Sequence, residues 1–335
     1  MEIAPTAEAL VDSFGRRISY VRLSVTDRCD LRCRYCMAEH MAFAPRGELL
    51  TLDEIETLAG LLIARGVRRI RLTGGEPLVR RGVERLIAGL GARIGDGLDE
   101  LTLTSNGTQL ARFAPVLRDA GVRRVNVSLD SRDSERFAHI TRGGALAQVL
   151  AGIAAARDAG LAVKINMVAL KGINEDEIAA MLAWCGAEGH DLTLIETMPL
   201  GDVEGDRSAH FLPLDLVKAR LEEQFALIPS LHRSGGPARY FEVAGLKVRL
   251  GLIAPLSANF CDGCNRIRVT ATGRIYGCLG HDQHVDVRAL LREEGEAGVA
   301  RALDLLLAGK PKGHDFRIAP GAAPAVARYM SATGG

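Results

Sequence analysis

The sequence predicts an α/β fold, an incomplete (β/α)6 barrel over residues 13–230 followed by a C-terminal α+β extension over residues 237–335. Three observations predict it. Six short β-like runs alternate with amphipathic helical stretches through the first two-thirds of the chain, which implies a parallel sheet. Those runs carry polar residues on one face, unlike a parallel strand buried on both sides. The texture then changes after about residue 230, at Ser234-Gly235-Gly236-Pro237, a linker-like break.

The strand candidates are Ile18–Val25, Arg69–Thr73, Leu101–Thr104, Val122–Leu129, Val163–Leu170 and Leu192–Met198. Helical patterns lie between them at about 52–65, 81–94, 109–120, 146–159 and 175–187. Gly66, Gly121, Gly160 and Gly189 follow four of these helices and read as C-terminal stops. No seventh or eighth matching unit is evident, so the barrel is read as partial. Side chains alternate faces along a strand. One face therefore carries Arg69, Arg71 and Thr73 on the second strand, Thr102 and Thr104 on the third, and Asn126, Ser128 and Asp130 on the fourth. Lys164 and Asn166 share a face on the fifth, and Glu196 with Met198 on the sixth. Buried polar groups need partners. If the aliphatic faces pack on the helices, the polar faces line a lumen suited to polar ligands; the alternative is edge strands with a solvated face. Beyond the break come β-like runs Tyr240–Val243, Lys247–Ile253 and Ile267–Thr270, and helices near 286–294 and 299–308.

Composition narrows the function. The chain has 335 residues, 47% of them hydrophobic, enough for a sizeable core. The net charge is +1, from 42 basic and 41 acidic residues, which argues against a nucleic-acid binder held by a broad basic field. No run of 18 apolar residues occurs, so no membrane span is expected. The start, Met1-Glu2-Ile3-Ala4-Pro5, lacks the basic and apolar regions of a signal peptide, and a cytoplasmic location is expected. Six lysines leave 36 of the 42 cations as arginine, so a lysine is slightly more informative than an arginine.

Seven cysteines, odd in number and mostly clustered, suggest metal ligands rather than a disulfide framework. Cys29, Cys33 and Cys36 form a C-x3-C-x2-C run directly after the first strand, at the end where barrels build active sites. Thiolates are the usual ligands of iron–sulfur clusters. Three on one loop can hold three irons of a four-iron cluster and leave the fourth open to a small chelating molecule. Zinc prefers paired C-x2-C or C-x2-H ligands, and only His40 lies nearby to complete such a set. Cys261, Cys264 and Cys278, followed by His281 and His284, form a second group. Its spacing suits a structural zinc site as well as a second cluster. Arg266 and Arg268 lie two apart just after Cys264, on one strand face, and could grip a phosphate chain. No G-x4-G-K-[ST] loop is present, so the site is not a P-loop.

The stretch Cys29-Asp-Leu-Arg-Cys33-Arg-Tyr35-Cys36 resembles the signature of the radical S-adenosylmethionine (SAM) superfamily, and Thr73-Gly74-Gly75-Glu76-Pro77 its glycine-rich loop after the second strand. The stretch Phe260–Leu279 is similar to one subgroup, the GTP 3′,8-cyclases of molybdenum cofactor biosynthesis. So are Tyr20–Cys29, Ile70–Pro77, Thr104–Gly107, Val125–Asp130, Lys171–Asn174, Ile195–Met198 and the terminal Gly334-Gly335.

The resemblance implies two [4Fe-4S] clusters, one on Cys29, Cys33 and Cys36 and one on Cys261, Cys264 and Cys278, the second with an open iron facing guanine. It implies SAM contacts at Tyr35, Gly75, Ser128 and Met198, and GTP contacts at Arg22, Arg71, Thr104, Lys164, Arg266, Ile267 and Arg268. Of these, Arg22, Arg266 and Arg268 are the implied catalytic residues. The implied reaction starts when an external electron reduces the first cluster, which cleaves SAM to a 5′-deoxyadenosyl radical. That radical takes the C3′ hydrogen of GTP, C3′ attacks guanine C8, and reduction closes the product. The Gly334-Gly335 tail resembles one that enters the active site; the plain alternative is a frayed terminus.

The sequence departs from the subgroup at Thr193, where an arginine is common, so one phosphate contact is expected to be lost or supplied by Arg69 or another residue. Asp30, where asparagine is frequent, is expected to matter little. Cys185 beside Trp184 reads as a small buried hydrophobe, and His281 and His284 as surface or packing residues. Implied partners are a flavodoxin- or ferredoxin-type reductant and, downstream, the cyclic pyranopterin monophosphate synthase accessory protein. Neither nucleic acid nor membrane is expected, and monomer and homodimer both stay open. Two other readings compete: a peptide-modifying radical SAM maturase with an auxiliary cluster, and a non-catalytic protein with a structural zinc domain.

Overall fold

The structure is a computed structural model that describes residues 8–334. The Met1–Pro5 start and Gly335 of the tail lie outside the described residues. Six strands lie side by side in chain order, all parallel: β1 (Tyr20–Ser24), β2 (Arg69–Thr73), β3 (Glu100–Ser105), β4 (Arg124–Ser128), β5 (Ala162–Ala169) and β6 (Asp191–Glu196). The crossovers carry α1 (Leu52–Ala64), α2 (Val83–Gly91), α3 (Leu110–Asp119), α4 (Ser134–Thr141), α5 (Leu146–Asp158) and α6 (Ile178–Glu188). Gly66, Gly121, Gly160 and Gly189 all take the left-handed conformation expected of helix stops, with φ from +75° to +93°. The sequence reading passed over α4, a short polar helix whose start is marked by Asp133: its carboxylate accepts the Arg136 backbone N–H at 2.8 Å.

The aliphatic faces pack on the helices as expected: Val21, Leu23, Ile70, Leu72, Leu103, Val125, Val127 and Ile165 all belong to one buried core. Each fully buried leucine or valine contributes about 1.5–3 kcal/mol by leaving water. The sixth strand corrects the expectation. Leu192 and Leu194 are its core side chains, and Glu196 shares their parity: it still borders the cavity, but its carboxylate is taken up by backbone N–H groups of Leu214 and Leu256. The cavity side of β6 carries Thr193 and Ile195, which pair with Asn166 and Val168. Met198 reaches the cavity only because β6 ends at Glu196 and strict alternation ends with it.

The C-terminal part joins the same sheet at both edges. It adds α7 (Leu214–Glu222), β7 (Leu227–Ser230), β8 (Arg239–Val243), β9 (Arg249–Ile253), β10 (Arg266–Val269), β11 (Arg274–Tyr276) and β12 (His284–Asp286). The helices α8 (Val287–Glu293), α9 (Gly295–Ala308) and α10 (Met330–Thr333) follow. β9 runs parallel to β6 and β10 parallel to β1, giving the order β12-β11-β10-β1-β2-β3-β4-β5-β6-β9-β8-β7. Eight parallel strands therefore wrap the lumen, although only six belong to βα units. The segment 254–265 crosses from the β9 edge to the β10 edge and carries Cys261 and Cys264. Among the described residues, no helix is long and apolar enough to cross a membrane.

Candidate active site

The first cysteine loop is seated by backbone pairing with its neighbour. Past the end of β1, Val25 N–H donates to Thr73 O (3.0 Å), Gly75 N–H to Thr26 O (2.9 Å) and Glu76 N–H to Arg28 O (2.8 Å). A Cβ at Gly75 would collide with the Arg28 carbonyl, so only glycine permits this approach. Cys29, Cys33 and Cys36 consequently line one wall of the lumen cavity. Burial pushes the Cys29 and Cys36 thiols up to about 12 and Cys33 well above its ordinary range. A cluster ligates thiolates, so one bound here would have to displace these protons, and its own positive charge would offset the cost of burial.

Glu76 is the knot beneath that loop. Its carboxylate accepts from Leu78 N–H (3.0 Å), Ser105 Oγ (3.0 Å) and Asn106 N–H (2.6 Å), and burial raises it to about 7. Asn106 in turn donates through Nδ2 to Asp30 Oδ1 (2.6 Å) and, at 3.6 Å, to Cys29 Sγ. Asp30, expected to be of little consequence, also accepts from Thr108 Oγ1 at 2.6 Å. An asparagine there could present only one acceptor oxygen, so the carboxylate is part of the network. Both Glu76 and Asn106 lie inside motifs quoted from the sequence, but nothing in the sequence gives either of them this role.

Tyr35, Ser128, Gly75 and Met198 all line the cavity beside the first triad. Tyr35 Oη donates to Asp130 Oδ2 at 2.6 Å, and Asp130 Oδ1 accepts the Val168 N–H at 2.8 Å. Burial raises Asp130 to about 6 against the pull of those two hydrogen bonds, and burial with the Asp130 charge holds the Tyr35 phenol well above its ordinary value.

Deeper in the lumen the cations converge. Register pairs Arg22 with Arg71 on one side and with Arg268 on the other, and Arg266 with Tyr20. Arg22, Arg71 and Lys164 are buried, and all line the cavity with Thr104, Arg266 and Arg268. Burial lowers Arg22 to about 10, and burial also lowers Arg71, Arg268 and Lys164, the last two strongly; neighbouring arginines add to each shift. The Nε atoms of Arg22 and Arg71 are buried without a hydrogen-bond partner. Burial pushes the Tyr20 phenol up, but Arg71 and Arg22 reverse this and leave it below its ordinary value. Like charges directly opposite on adjacent strands are destabilising. Buried cations with idle donors are what an anionic ligand would satisfy.

Two expected residues present no side chain to this cavity. The Ile267 side chain is core, 1% exposed, so only its backbone can face the lumen. Arg69 lies outside this cavity's lining, at 3.8 Å from Glu100. Thr193 is buried against β9 with its hydroxyl unpartnered. Tyr240, which the sequence did not single out, accepts from Lys164 Nζ at 2.6 Å and donates to Ser234 Oγ at 2.8 Å.

The second triad faces the first. Cys261, Cys264 and Cys278 line the same cavity, with Phe260 and His314. Burial alone would raise the Cys264 thiol, but Arg266 and Lys310 bring it below its ordinary value, which favours thiolate. Among the described residues, no three His, Cys, Asp or Glu side chains converge to hold a single metal ion. His281 binds Gly313 O at 3.0 Å and His284 is exposed; neither lines the cavity. Cys185 is fully buried, and burial raises its thiol. The tail turns in as well: Arg268 donates to the carbonyls of Thr333 (3.2 Å) and Gly334, and Gly334 packs against Thr73 with no room for a Cβ.

Comparison with known proteins agrees with this architecture. The family model described as Radical SAM superfamily matches residues 23–185, and that described as Molybdenum Cofactor Synthesis C matches 190–316. The chain is 58% identical over 330 residues to a GTP 3′,8-cyclase of Erythrobacter litoralis, covering 98% of this chain and 99% of the relative. It is 56% identical over 333 residues to the GTP 3′,8-cyclase of Rhizobium meliloti (98% and 95% covered). Among solved structures, SuiB of Streptococcus suis superimposes with a TM-score of 0.61 at 14% identity, over 88% of this chain and 67% of that one, which shows a shared fold. The chain therefore belongs to the radical SAM superfamily and, within it, to the GTP 3′,8-cyclase family of molybdenum cofactor biosynthesis.

Proposed function

We propose that the protein converts GTP to (8S)-3′,8-cyclo-7,8-dihydroguanosine 5′-triphosphate, the first step of molybdopterin formation. The observation that carries this reading is the strand register Arg71–Arg22–Arg268 in the cavity that both cysteine triads line. Three neighbouring guanidinium groups suit a multiply charged anion such as a triphosphate. In this reading Cys29, Cys33 and Cys36 hold the SAM-binding [4Fe-4S] cluster, and Tyr35, Gly75, Ser128 and Met198 contact SAM. Cys261, Cys264 and Cys278 hold a second [4Fe-4S] cluster that faces the guanine. Arg22, Arg71, Thr104, Lys164, Arg266, Arg268 and the Ile267 backbone hold GTP. When bound, the first cluster and SAM would supply a 5′-deoxyadenosyl radical able to take the C3′ hydrogen of GTP; bonding of C3′ to C8 would close the ring, and one electron and one proton would quench the radical left on the base.

The protein's part is to orient two ligands and exclude water. The arginines fix the phosphate chain; Tyr35 and Asp130 brace the wall beside the first triad at 2.6 Å. A flavodoxin- or ferredoxin-type protein would supply the electrons, and the cyclic pyranopterin monophosphate synthase accessory protein would take the product. The protein would work in the cytoplasm.

Anaerobic incubation with GTP, SAM and dithionite tests the reading. It should yield 5′-deoxyadenosine and a cyclised nucleotide. Arg266→Ala and Arg268→Ala should each lose cyclisation while still cleaving SAM; normal GTP turnover by both would overturn the site assignment. Reconstituted protein should hold about eight irons per chain, and about four would remove the second cluster from the proposal.

A further inference from the structure

Lys310 is one of six lysines in the chain, and it is 3% exposed. Burying an ammonium is costly unless an opposite charge or hydrogen-bond acceptor meets it. Among the described residues no carboxylate forms an ion pair with it. Its partner is sulfur: Nζ lies 3.5 Å from Cys264 Sγ. The rest of its segment is held around the second triad by other groups. Arg16 donates to the carbonyls of Cys261 (2.9 Å), Pro311 (2.7 Å) and Lys312 (2.5 Å). Gly313 sits so close to Cys261 that a Cβ there would lie 3.5 Å from Sγ, and its carbonyl meets His281 at 3.0 Å. The strap 310–313 is thus fixed independently of the Lys310 ammonium, and that ammonium is delivered to one sulfur.

We infer that Lys310 is a positioning residue for the second cluster, donating a charged hydrogen bond to the Cys264 sulfur and thereby making the cluster easier to reduce. The inference rests on the second cluster proposed above. Reduction adds negative charge, and both net charge and hydrogen bonds to sulfur set cluster potentials. A charge-assisted donor stabilises the reduced form more than the oxidised one. The aliphatic stem has a separate packing role, since a Cβ at Gly277 would lie 3.3 Å from Lys310 Cγ. Leucine preserves most of that packing without a donor or a metal ligand; arginine preserves the charge.

The test is an anaerobic redox titration, followed by electron paramagnetic resonance, of the full-length reconstituted protein and of Lys310→Leu and Lys310→Arg. The SAM-binding cluster, identified by its response to added SAM, is the internal reference. The expected result is a more negative midpoint for the second cluster in Lys310→Leu, recovery in Lys310→Arg, and an unchanged first cluster. Loss of about half the iron from Lys310→Leu but not Lys310→Arg would also support the donor role. An unchanged second midpoint in Lys310→Leu at full iron content overturns it, as does equal iron loss in both variants. About four irons in the parent protein would instead remove the two-cluster reading on which it rests.

Discussion

The Asn106 backbone N–H donates to Glu76 Oε2 at 2.6 Å, tying the glycine-rich loop after β2 to the turn after β3. Oε1 serves Leu78 and Ser105, so both carboxylate oxygens are in use. Glu76→Gln keeps one acceptor and sets an amide N–H against the Asn106 N–H. It should cost about 1–3 kcal/mol, read as a lower urea midpoint. Burial raises Glu76 to about 7 in the folded state, above its unfolded value. A raised acid contributes stability that is fully present below the unfolded pKa, near 4.5, and lost as pH rises through the folded one. The parent should therefore lose stability between about pH 4.5 and 7, by on the order of 3 kcal/mol from this group, and Glu76→Gln should lack that slope. Parallel pH profiles for the two proteins would contradict this.

Arg268 has two duties, and the second can be read in the absence of nucleotide. It faces the lumen beside Arg22, and it holds the carbonyls of Thr333 and Gly334. Arg268→Ala should release the tail, so amide exchange over 330–334 should rise several-fold in the absence of nucleotide. Arg266→Ala, which leaves those carbonyl contacts intact, should not raise it. Equal exchange in the parent and Arg268→Ala would mean the tail is held by packing against Thr73 alone.

Glu196 shows how a correct element can carry a wrong face. Its strand was legible to within two residues, but the face shared by Glu196 and Met198 assumes alternation past the strand end at Glu196. The carboxylate actually accepts from Leu214 N–H (3.1 Å), Leu256 N–H (2.9 Å) and Ser257 N–H (3.2 Å). Leu256 and Ser257 belong to the segment that carries Cys261 and Cys264 across the barrel. Glu196→Ala should leave those donors unsatisfied at about 1–3 kcal/mol each and lower iron retention by the second triad, with the first triad unaffected. Full iron content in this variant would show that the crossing segment needs no anchor.

What was legible in the sequence followed from local rules. Strand period, glycine stops and cysteine spacing are written within windows of a few residues, so β2 was expected at its observed bounds and both triads were found. What was hidden depends on long-range pairing. β9 and β10 look like parts of a separate extension because each is a short run without a crossover helix, yet they complete the lumen on either side. Tyr240 and Lys310 were invisible for the same reason: Tyr240 meets Lys164 from 76 positions away, and Lys310 meets Cys264 from 46. Glu76 sat inside a recognised motif, but its three donors come from two loops.

Lys164 links substrate binding to pH. Its ammonium is buried, and burial together with Arg71 and Arg124 lowers its pKa well below the ordinary lysine value. Among the described residues its one hydrogen-bond partner is neutral, the Tyr240 hydroxyl at 2.6 Å. A triphosphate in the lumen would favour the charged form and raise that pKa. Above the pKa of the free protein, binding must therefore take up a proton, and affinity for GTP must fall as pH rises. Calorimetry of GTP binding without reductant, in two buffers of different ionisation enthalpy, should give heats whose difference corresponds to uptake of a measurable fraction of a proton. Lys164→Met should abolish the difference and weaken binding by about 10–100-fold, the loss of one charged hydrogen bond. Buffer-independent heats in the parent would mean that Lys164 is already charged before GTP arrives, and that Arg22, Arg71 and Arg268 carry the phosphate chain without a proton change.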